Sequence, residues 1–372
     1  MNLNLKSSHV EAYLTQRFGS EAKLLGLQSL GDDQVAAVAE GAQKATSLKT
    51  FGYGKPVMIR YQVAGKEQRA VLNTTATNSF GHEYRSDRAA NMLLSYDIYN
   101  CLPDHVLALD VGIVMPDAKL LSLGKGGEFF LLSEYVEGKG YASDLERLRD
   151  GGELTERDLQ RTQRLAEYLA QIHCHKLDHP ALYRRHIRDL FGSGEGMMGL
   201  TDSYPAAYPL ADEAWLQRIE EMAIRWRWRL KGKSHRLSQI HGDFHPFNIL
   251  FREGTDFSLL DRSRDAWGEP ADDVTCMAIN YLFFSLQRAG KMASPFKELW
   301  DLFWDTYLTQ SADQELLTLV APFFTWRALV VASPLWYNIS DDVRQALFCF
   351  IENVLNQERF DPSRINEYIR RF

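Results

Sequence analysis

The chain has 372 residues, of which 45% are hydrophobic and 24% are charged. This length can bury a large core in two lobes or domains, and the composition is that of an ordinary globular protein. The net charge of -7 argues against a nucleic-acid-binding protein, because such proteins usually carry a basic face.

The cysteines and the apolar runs indicate where the protein works. Cys101, Cys174, Cys276 and Cys349 lie far apart and form no C-x-x-C pair, so we expect neither a zinc site nor a disulfide scaffold. The first residues lack a cationic segment followed by an apolar one, which a signal peptide needs. No uncharged apolar run approaches the ~18 residues that span a bilayer. We therefore expect a soluble cytoplasmic protein with no membrane partner.

The first third of the chain is predicted to be rich in strands. Two β-rich runs flank a turn that contains Gly65, which is typical of a β-hairpin. The spacing of apolar residues, together with glycines at the ends of segments, predicts the other elements. The predicted elements are a helix over 8–18, strands over 23–30, 57–63 and 68–74, a helix over about 82–99, and short strands over 106–111, 120–123 and 128–135.

The middle of the chain is predicted to be mainly helical. Thr155 begins a capping box, with Asp158 in place of the usual Glu or Gln, ahead of a long helix that ends near His173. Residues 178–212 show poor periodicity and are expected to be irregular. Helical spacing returns over 214–230. We interpret the tryptophans of this helix as a stripe that packs in the core and its arginines as a solvated basic edge, rather than as a surface that binds nucleic acid.

The segment H-G-D-F-H-P-F-N at 241–248 is the most informative part of the sequence. His241, Asp243 and Asn248 keep the spacing of the kinase catalytic loop H-R-D-L-x-x-x-N, with Gly242 in place of the arginine. In that loop the aspartate accepts the proton of the attacking hydroxyl and the asparagine binds magnesium. The spacing therefore predicts a phosphoryl-transfer site.

A second acidic residue follows at a workable distance. Residues 248–251 and 257–260 read as two short apolar strands around a polar turn. Such a hairpin carries Asn248 at its entry and Asp261 at its exit, where the D-F-G aspartate of a kinase would stand. Both oxygen-bearing side chains can then converge on one magnesium ion.

Two other interpretations of this segment stay open. His241, Asp243 and His245 alternate, so on a strand they would share one face and could bind zinc, although Pro246 would end such a strand. Alternatively, Asp243 and Asn248 only cap backbone groups in a structural turn.

Beyond this segment, apolar helices are predicted after residue 273, over 316–335 and over 342–355.

Residues 241–248, together with L-D-R-S-R at 260–264 and G-E-P-A-D-D-V at 268–274, resemble the aminoglycoside phosphotransferase and choline kinase family. The resemblance implies an α+β, protein-kinase-like fold of two lobes. Residues 1–132 would form an N-lobe with an antiparallel sheet, one helix and an additional N-terminal helix. Residues 133–138 would form the hinge, and residues 139–372 a mainly helical C-lobe with the catalytic loop and a substrate-binding insert.

The resemblance also implies roles for individual residues. Asp243 would be the catalytic aspartate, and Asn248 and Asp261 would be the magnesium ligands. Asp273, together with His241, would brace the catalytic loop. At position 269, a glutamate replaces the first aspartate of the family's G-D-P-x-x-D segment.

The N-lobe contains one clear departure from the family. The resemblance implies that the backbone of Glu134, Tyr135 and Val136 contacts adenine. Glu83, at the start of the predicted helix, would pair with the lysine that holds the phosphates, although an acidic residue at a helix N-terminus is common for structural reasons. The V-A-I-K pattern, however, places Asn73 where the lysine should stand.

Three explanations for this asparagine stay open: a shifted register, weak nucleotide binding, or a substitute cation. The candidate cations are Lys44, Lys49, Arg60 and Arg69. The glycines near residues 41–44 and 52–55 complete no G-x-G-x-x-G motif, and the chain has no P-loop motif.

From these patterns we predict an enzyme that uses ATP and Mg2+ to phosphorylate a hydroxyl group of a small molecule, such as an aminoglycoside, an amino-alcohol or a sugar. An aromatic cage of Trp326, Trp336 and Tyr337 would suit a quaternary amine, although aromatic residues there are more often core. The alternative, motivated by Asn73, is a catalytically impaired pseudokinase that binds nucleotide or acts as a scaffold.

Overall fold

The computed structural model describes residues 5–30, 56–101, 103, 105–124, 126–262 and 264–371. The chain divides into two compact units, Met1–Ser133 and Glu134–Phe372. Antiparallel strands with helices form the first unit, and the second is mainly helical, which agrees with the predicted α+β class. Within the described ranges, no helix combines the length and the apolar character that a membrane crossing requires.

The first unit is built on a three-stranded antiparallel sheet in the order β1-β2-β3. Ala64 and Gly65 form the turn between β2 and β3, and both have positive φ, as a two-residue hairpin turn requires. The predicted hairpin is therefore confirmed, with its second strand starting two residues earlier than expected. The elements of this unit are α1 (Ser7–Phe18), β1 (Lys23–Ser29), β2 (Val57–Val63), β3 (Lys66–Leu72), α2 (Arg85–Tyr99), β4 (Gly112–Val114) and β5 (Leu120–Ser122).

A small apolar core lies between α1 and the sheet. Val10 and Leu14, one helical turn apart on α1, join Ile59 and Tyr61, which point to the same face of β2. Phe18 stacks on Tyr61 with 5.2 Å between ring centroids. The helix predicted over 8–18 is thus confirmed, and its apolar stripe covers one face of the sheet.

Two strand predictions in this region are wrong. Residues 106–111 form no strand, and the strand lies instead at Gly112–Val114. Residues 128–135 also form no strand, and the side chains of Phe130 and Leu131 are 91% and 92% exposed. An apolar run is stable as a strand only where neighbouring strands pair with it and cover it. The apolar residues 128–135 therefore have the composition of a strand, but that composition does not show whether a neighbouring strand pairs with them.

The second unit is dominated by helices. Its helices are α3 (Tyr141–Arg149), α4 (Glu156–His173), α5 (Pro180–Gly192), α6 (Met197–Ser203), α7 (Glu213–Leu230), α8 (Ala271–Ala289), α9 (Phe296–Ser311), α10 (Val320–Ala332), α11 (Asp341–Leu355) and α12 (Ile365–Tyr368). Its short strands are β6 (Lys139–Gly140), β7 (Ser238–Gln239), β8 (Ile249–Phe251), β9 (Phe257–Leu259) and β10 (Trp267–Gly268). Helix α8 is central, because every residue from Ala271 to Leu286 is buried. The mainly apolar sequence after Asp273 suits a helix that is buried on all sides.

Local signals located several of these helices correctly. Thr155 caps α4, and the side chain of Asp158 accepts hydrogen bonds from the Thr155 N–H at 2.8 Å and hydroxyl at 2.6 Å. Trp215, Ile219 and Trp226 are buried along α7, which confirms the predicted core stripe.

The prediction of an irregular segment over 178–212 is wrong, because α5 and α6 lie there. His179 caps α5, and Pro180 occupies its first turn, where the missing N–H of proline costs nothing. The proline was therefore a helix-start signal rather than a loop signal.

A buried ion network joins Arg236, which lies shortly before residues 241–248, to the helical core. Arg236 is 4% exposed, and both Nε and Nη2 donate to Glu269, which is fully buried. Its Nη1 and Nη2 atoms also donate to Asp313, at 2.8 and 2.7 Å. Tyr183 donates its hydroxyl to Glu269 at 2.9 Å. Every charge in the centre of this network has a partner, as stability in a buried position requires.

Glu315 at the edge of this network should make the stability of the protein depend on pH. Burial raises the pKa of Glu315, but contacts with Lys233, His235 and Arg236 outweigh that effect and lower the pKa to about 2 from its usual 4.5. Since the folded state has the lower pKa, ionised Glu315 favours folding. That contribution is fully present above the unfolded pKa of 4.5 and is lost as the pH falls towards 2.

We therefore expect Glu315→Gln to be less stable than the wild type at neutral pH, and this difference to become smaller as the pH falls below 4.5 towards 2. The free energies of unfolding in urea, measured at about pH 7 and about pH 3, test this expectation. A difference between the two proteins that stays constant or grows on acidification would contradict it.

Candidate active site

The hairpin of β8 and β9 brings Asn248 and Asp261 to the same end. Ile249 pairs with Leu259 in the antiparallel register, and the Leu260 N–H donates to the Asn248 carbonyl oxygen at 2.8 Å. Asn248 thus directly precedes β8, and Asp261 lies two residues after the end of β9. The predicted hairpin is confirmed, with the two side chains at its entry and exit.

The backbone before this hairpin is fixed by one buried carboxylate. Asp273, in the first turn of α8, accepts the N–H groups of His241 and Gly242, both at 2.7 Å. His173 contributes a further contact, from its Nε2 atom to Asp273 at 3.3 Å. Burial would raise the pKa of Asp273, but the contacts with His173 and His241 lower it. An ionised Asp273 therefore holds the loop that leads to Asp243.

The conformation of this loop explains why position 242 is a glycine and not the arginine of the kinase motif. Gly242 has a φ of 87°, which residues with a side chain rarely adopt. The His241 ring contacts the Leu260 carbonyl oxygen at 3.0 Å through Nε2, so this ring joins the loop to the hairpin. Residues 241–245 form no strand. The shared strand face that the zinc interpretation required is therefore absent here.

The carboxylate of Asp243 lies among cations. Its Oδ1 atom accepts from Nη1 of Arg327 at 2.8 Å and lies 3.8 Å from Nε of Arg264. Its Oδ2 atom lies 3.4 Å from both Nε2 of His245 and Nδ2 of Asn248. Burial would raise the pKa of Asp243, but the contact with His245 and the charges of Arg327 and Arg264 hold this pKa well below its usual range. Asp243 is consequently ionised at neutral pH.

Sequence reasoning did not find Arg327. It lies on α10, is 5% exposed, and also donates through Nη2 to the Gly242 carbonyl oxygen at 3.0 Å and to Asp272 at 2.6 Å. A signal was present, since Arg327 is the one charged residue in V-A-P-F-F-T-W-R-A-L-V-V-A at 320–332. A charge inside an otherwise apolar helix requires a buried partner. The identity of that partner could not be read from the sequence.

Asn248 and Asp261 retain oxygen atoms that suit magnesium. Asn248 uses its Nδ2 atom to donate to the Asp243 carbonyl oxygen at 3.1 Å, which directs its amide nitrogen rather than its oxygen at the loop. Among the residues that the structure describes, no donor contacts Asn248 Oδ1 or the exposed Asp261 carboxylate. Asp261 has a φ of 44°, an uncommon conformation for a residue other than glycine that is often found at functional sites. This pair of uncommitted oxygen donors fits a hard divalent cation.

The residues that were predicted to contact the nucleotide lie outside the helices and strands of the structure. Asn73 is exposed, one residue after the end of β3. Glu83 lies two residues before α2, which starts at Arg85 rather than at residue 82. Glu134 and Tyr135 are exposed and Val136 is half-buried, and none belongs to a strand. The expectation that a buried strand presents their backbone to adenine is therefore wrong as to the strand.

The substitute cations for the missing lysine are only partly described. Lys44, Lys49 and the glycines near 41–44 and 52–55 lie outside the described residues. Arg60 makes an ion pair with Glu67 at 2.9 Å, and Arg69 lies 3.9 Å from the same carboxylate.

Residues 104–301, more than half of the chain, match the model of a family described as the phosphotransferase enzyme family, APH. No curated protein matches the chain in sequence.

Several solved structures are similar to the chain. A glucosamine kinase in complex with glucosamine, ADP and inorganic phosphate is 20% identical, over 51% of this chain and 53% of that one, with a TM-score of 0.35. A Plasmodium vivax ethanolamine kinase is 12% identical over 84% and 77% of the two chains, with a TM-score of 0.36. An amicoumacin kinase in complex with AMP-PNP, Ca2+ and Ami is 16% identical over 85% and 90%, with a TM-score of 0.38. The chain thus spans about half the length of the glucosamine kinase that it matches.

Proposed function

Because the chain belongs to the phosphotransferase enzyme family, we propose that it is a small-molecule kinase that transfers the γ-phosphoryl group of ATP to a hydroxyl group. Membership of this family also confirms the predicted protein-kinase-like fold, with an antiparallel sheet and a helix in the N-terminal part and a mainly helical C-terminal part. The observation that carries the proposed activity is the ionised carboxylate of Asp243, which lies 3.4 Å from the amide nitrogen of the same Asn248 that begins the hairpin leading to Asp261.

The two oxygens of Asp243 have different tasks in this proposal. Oδ1 is committed to Arg327 at 2.8 Å, whereas the contacts of Oδ2 at 3.4 Å are long for hydrogen bonds. Oδ2 is therefore the atom that accepts the hydrogen bond of the acceptor hydroxyl. It takes the proton as the acceptor oxygen bonds to the γ-phosphorus and the bond between that phosphorus and the ADP oxygen breaks.

The low pKa of Asp243 makes it a weak base, so it mainly orients the hydroxyl and takes the proton late. A loose phosphoryl-transfer transition state suits such a group, because little negative charge is needed on the attacking oxygen early in the reaction. Asn248 and Asp261 would hold magnesium, which offsets the charge on the nucleotide phosphates when it is bound. Most of the rate gain then comes from positioning and electrostatics.

Replacement of Asp261 by asparagine should weaken the magnesium-dependent part of nucleotide binding by about tenfold or more, because an amide supplies no charge to a divalent cation. Titration calorimetry with a non-hydrolysable ATP analogue, with and without magnesium, measures this part directly. Asp256→Asn is the matched control, since Asp256 lies in the turn of the same hairpin and pairs with Arg252. Equal magnesium dependence in the two variants would contradict the assignment of Asp261.

A catalytically impaired pseudokinase is the second candidate, and the observation that favours it is Asn73 in the position of the phosphate-binding lysine. A folded protein that binds the nucleotide but transfers no phosphoryl group to any acceptor would support this second candidate.

A further inference from the structure

Arg264 lies beside Asp243, and its guanidinium makes no hydrogen bond to the residues that the structure describes. Its nearest acidic contacts are Asp243 Oδ1, 3.8 Å from Nε, and Glu195 Oε2, 4.0 Å from Nη2. Both distances exceed hydrogen-bonding range. Within the part of the chain that the structure describes, no N–H group of Arg264 donates a hydrogen bond. A guanidinium has five donors in a planar fork that matches a carboxylate or a phosphate, so this group is available to such an oxyanion.

The position of Arg264 is fixed by an aromatic ring. Its Cζ atom lies 4.5 Å from the ring centroid of Trp326, a buried residue of α10. The Trp326 ring is anchored in turn, because its Nε1 atom donates to the Glu195 carbonyl oxygen at 2.9 Å. The Arg264 side chain is 27% exposed, so it is held against the ring but remains accessible. A preorganised donor of this kind loses little conformational entropy when a ligand binds.

Two cations already contact the Trp326 ring beside Asp243. The Cζ atom of Arg327 lies 3.9 Å from the same Trp326 ring centroid, so two guanidinium groups contact one of the rings that an aromatic cage for a quaternary amine would use. A choline-like cation on this ring would therefore meet two like charges. The Glu195 carboxylate is 78% exposed and 4.0 Å from Arg264, and such a pair is weak in water.

We propose that the acceptor carries an acidic group, a carboxylate or a phosphate, which binds Arg264 while its hydroxyl contacts Asp243. This inference rests on the proposed function and specifies its substrate class. An aminoglycoside or a choline-like compound would then be a poor acceptor, in spite of the family that the sequence resembles.

The test uses hydroxyl compounds in matched sets that differ only in charge, such as glucuronate, glucose and glucosamine. With the wild type, we expect a KM for the acidic member at least about tenfold lower than for the amine. Arg264→Gln should raise the KM for the acidic member about tenfold more than it raises the KM for the neutral member. Arg264→Lys, which keeps the charge but not the fork, should have an intermediate KM.

The matched control is Arg227→Gln. Arg227 also lies over a tryptophan, Trp228, at 5.4 Å, but on α7, and its replacement should leave all of these constants unchanged. A rise in KM in Arg264→Gln that is equal for the acidic and the neutral members would overturn the proposal. Equal KM values of the wild type for the acidic and the neutral members would overturn the proposal as well.

Equilibrium binding separates this inference from the proposed function. If the wild type phosphorylates no acceptor but binds the acidic member of a set preferentially, and Arg264→Gln abolishes that preference, the proposed function fails and the anion subsite stands. If no set shows a preference for the acidic member in calorimetry, the anion subsite is refuted whatever the activity.

Discussion

Replacement of Asp243 by asparagine is expected to lower kcat by about a thousandfold or more while nucleotide binding stays measurable. The carboxylate is the only side chain in the segment 241–248 that is held ionised next to Asn248, and a positioned base typically contributes about 10² to 10⁴ in rate. Asparagine has the same shape and can still accept a hydrogen bond from Arg327, so the loop should keep its conformation. The amide, however, cannot take the proton of the acceptor hydroxyl.

The controls for this prediction separate chemistry from folding. Asp256→Asn, in the exposed turn of the hairpin, should keep wild-type turnover and wild-type stability. The nucleotide affinity of Asp243→Asn should stay within about threefold of that of the wild type, since Asp243 is assigned to the acceptor rather than to the cation. A turnover above about a tenth of the wild-type value in Asp243→Asn would contradict the role of this residue.

The second large effect concerns stability. Glu269→Gln should lower the free energy of unfolding by about 3 kcal/mol, because it leaves Arg236 without its most buried partner. Arg236 and Glu269 are 4% and 0% exposed, and two nitrogen atoms of the arginine donate to the carboxylate. Asp313 remains as a second partner, so the loss should be at the lower end of the values known for buried pairs.

Urea unfolding measures this loss as a shift in midpoint at constant slope. The matched control is Glu367→Gln, which removes the partner of Arg364 in a pair whose side chains are 57% and 48% exposed. The control should leave the midpoint almost unchanged, as expected for exposed ion pairs. A loss below about 1 kcal/mol in Glu269→Gln would show that the buried network contributes little to stability.

The parts of the fold that short segments specify were predictable from the sequence. The capping box at Thr155 and the turn at Ala64 and Gly65 depend on side chains within a few residues of one another. The hairpin between Asn248 and Asp261 is likewise local. In each case the residues that form the feature lie next to each other in the chain, so the pattern determines the structure.

The features that the sequence predicted wrongly or did not reveal depend on contacts between segments that are distant in the chain. The apolar residues 128–135 predicted a strand, but whether a strand forms depends on a neighbour that the run itself does not specify. The contact between Arg327 and Asp243 joins residues 84 positions apart, and no local pattern encodes it. Arg264 and Trp326 meet in the same way. The roles assigned to Asp243, Asn248, Asp261 and Asp273 stay predictions that the geometry supports.

The central claim is that this site moves a phosphoryl group from a nucleotide to a hydroxyl. Phosphorus NMR of the wild type with ATP, magnesium and the matched acceptor sets tests it most directly, with Asp243→Asn measured in parallel. We predict that a phosphate ester of an acceptor forms with the wild type and that none forms with the variant over the same time. Release of inorganic phosphate alone, or an ester signal of equal size with the variant, would contradict the claim.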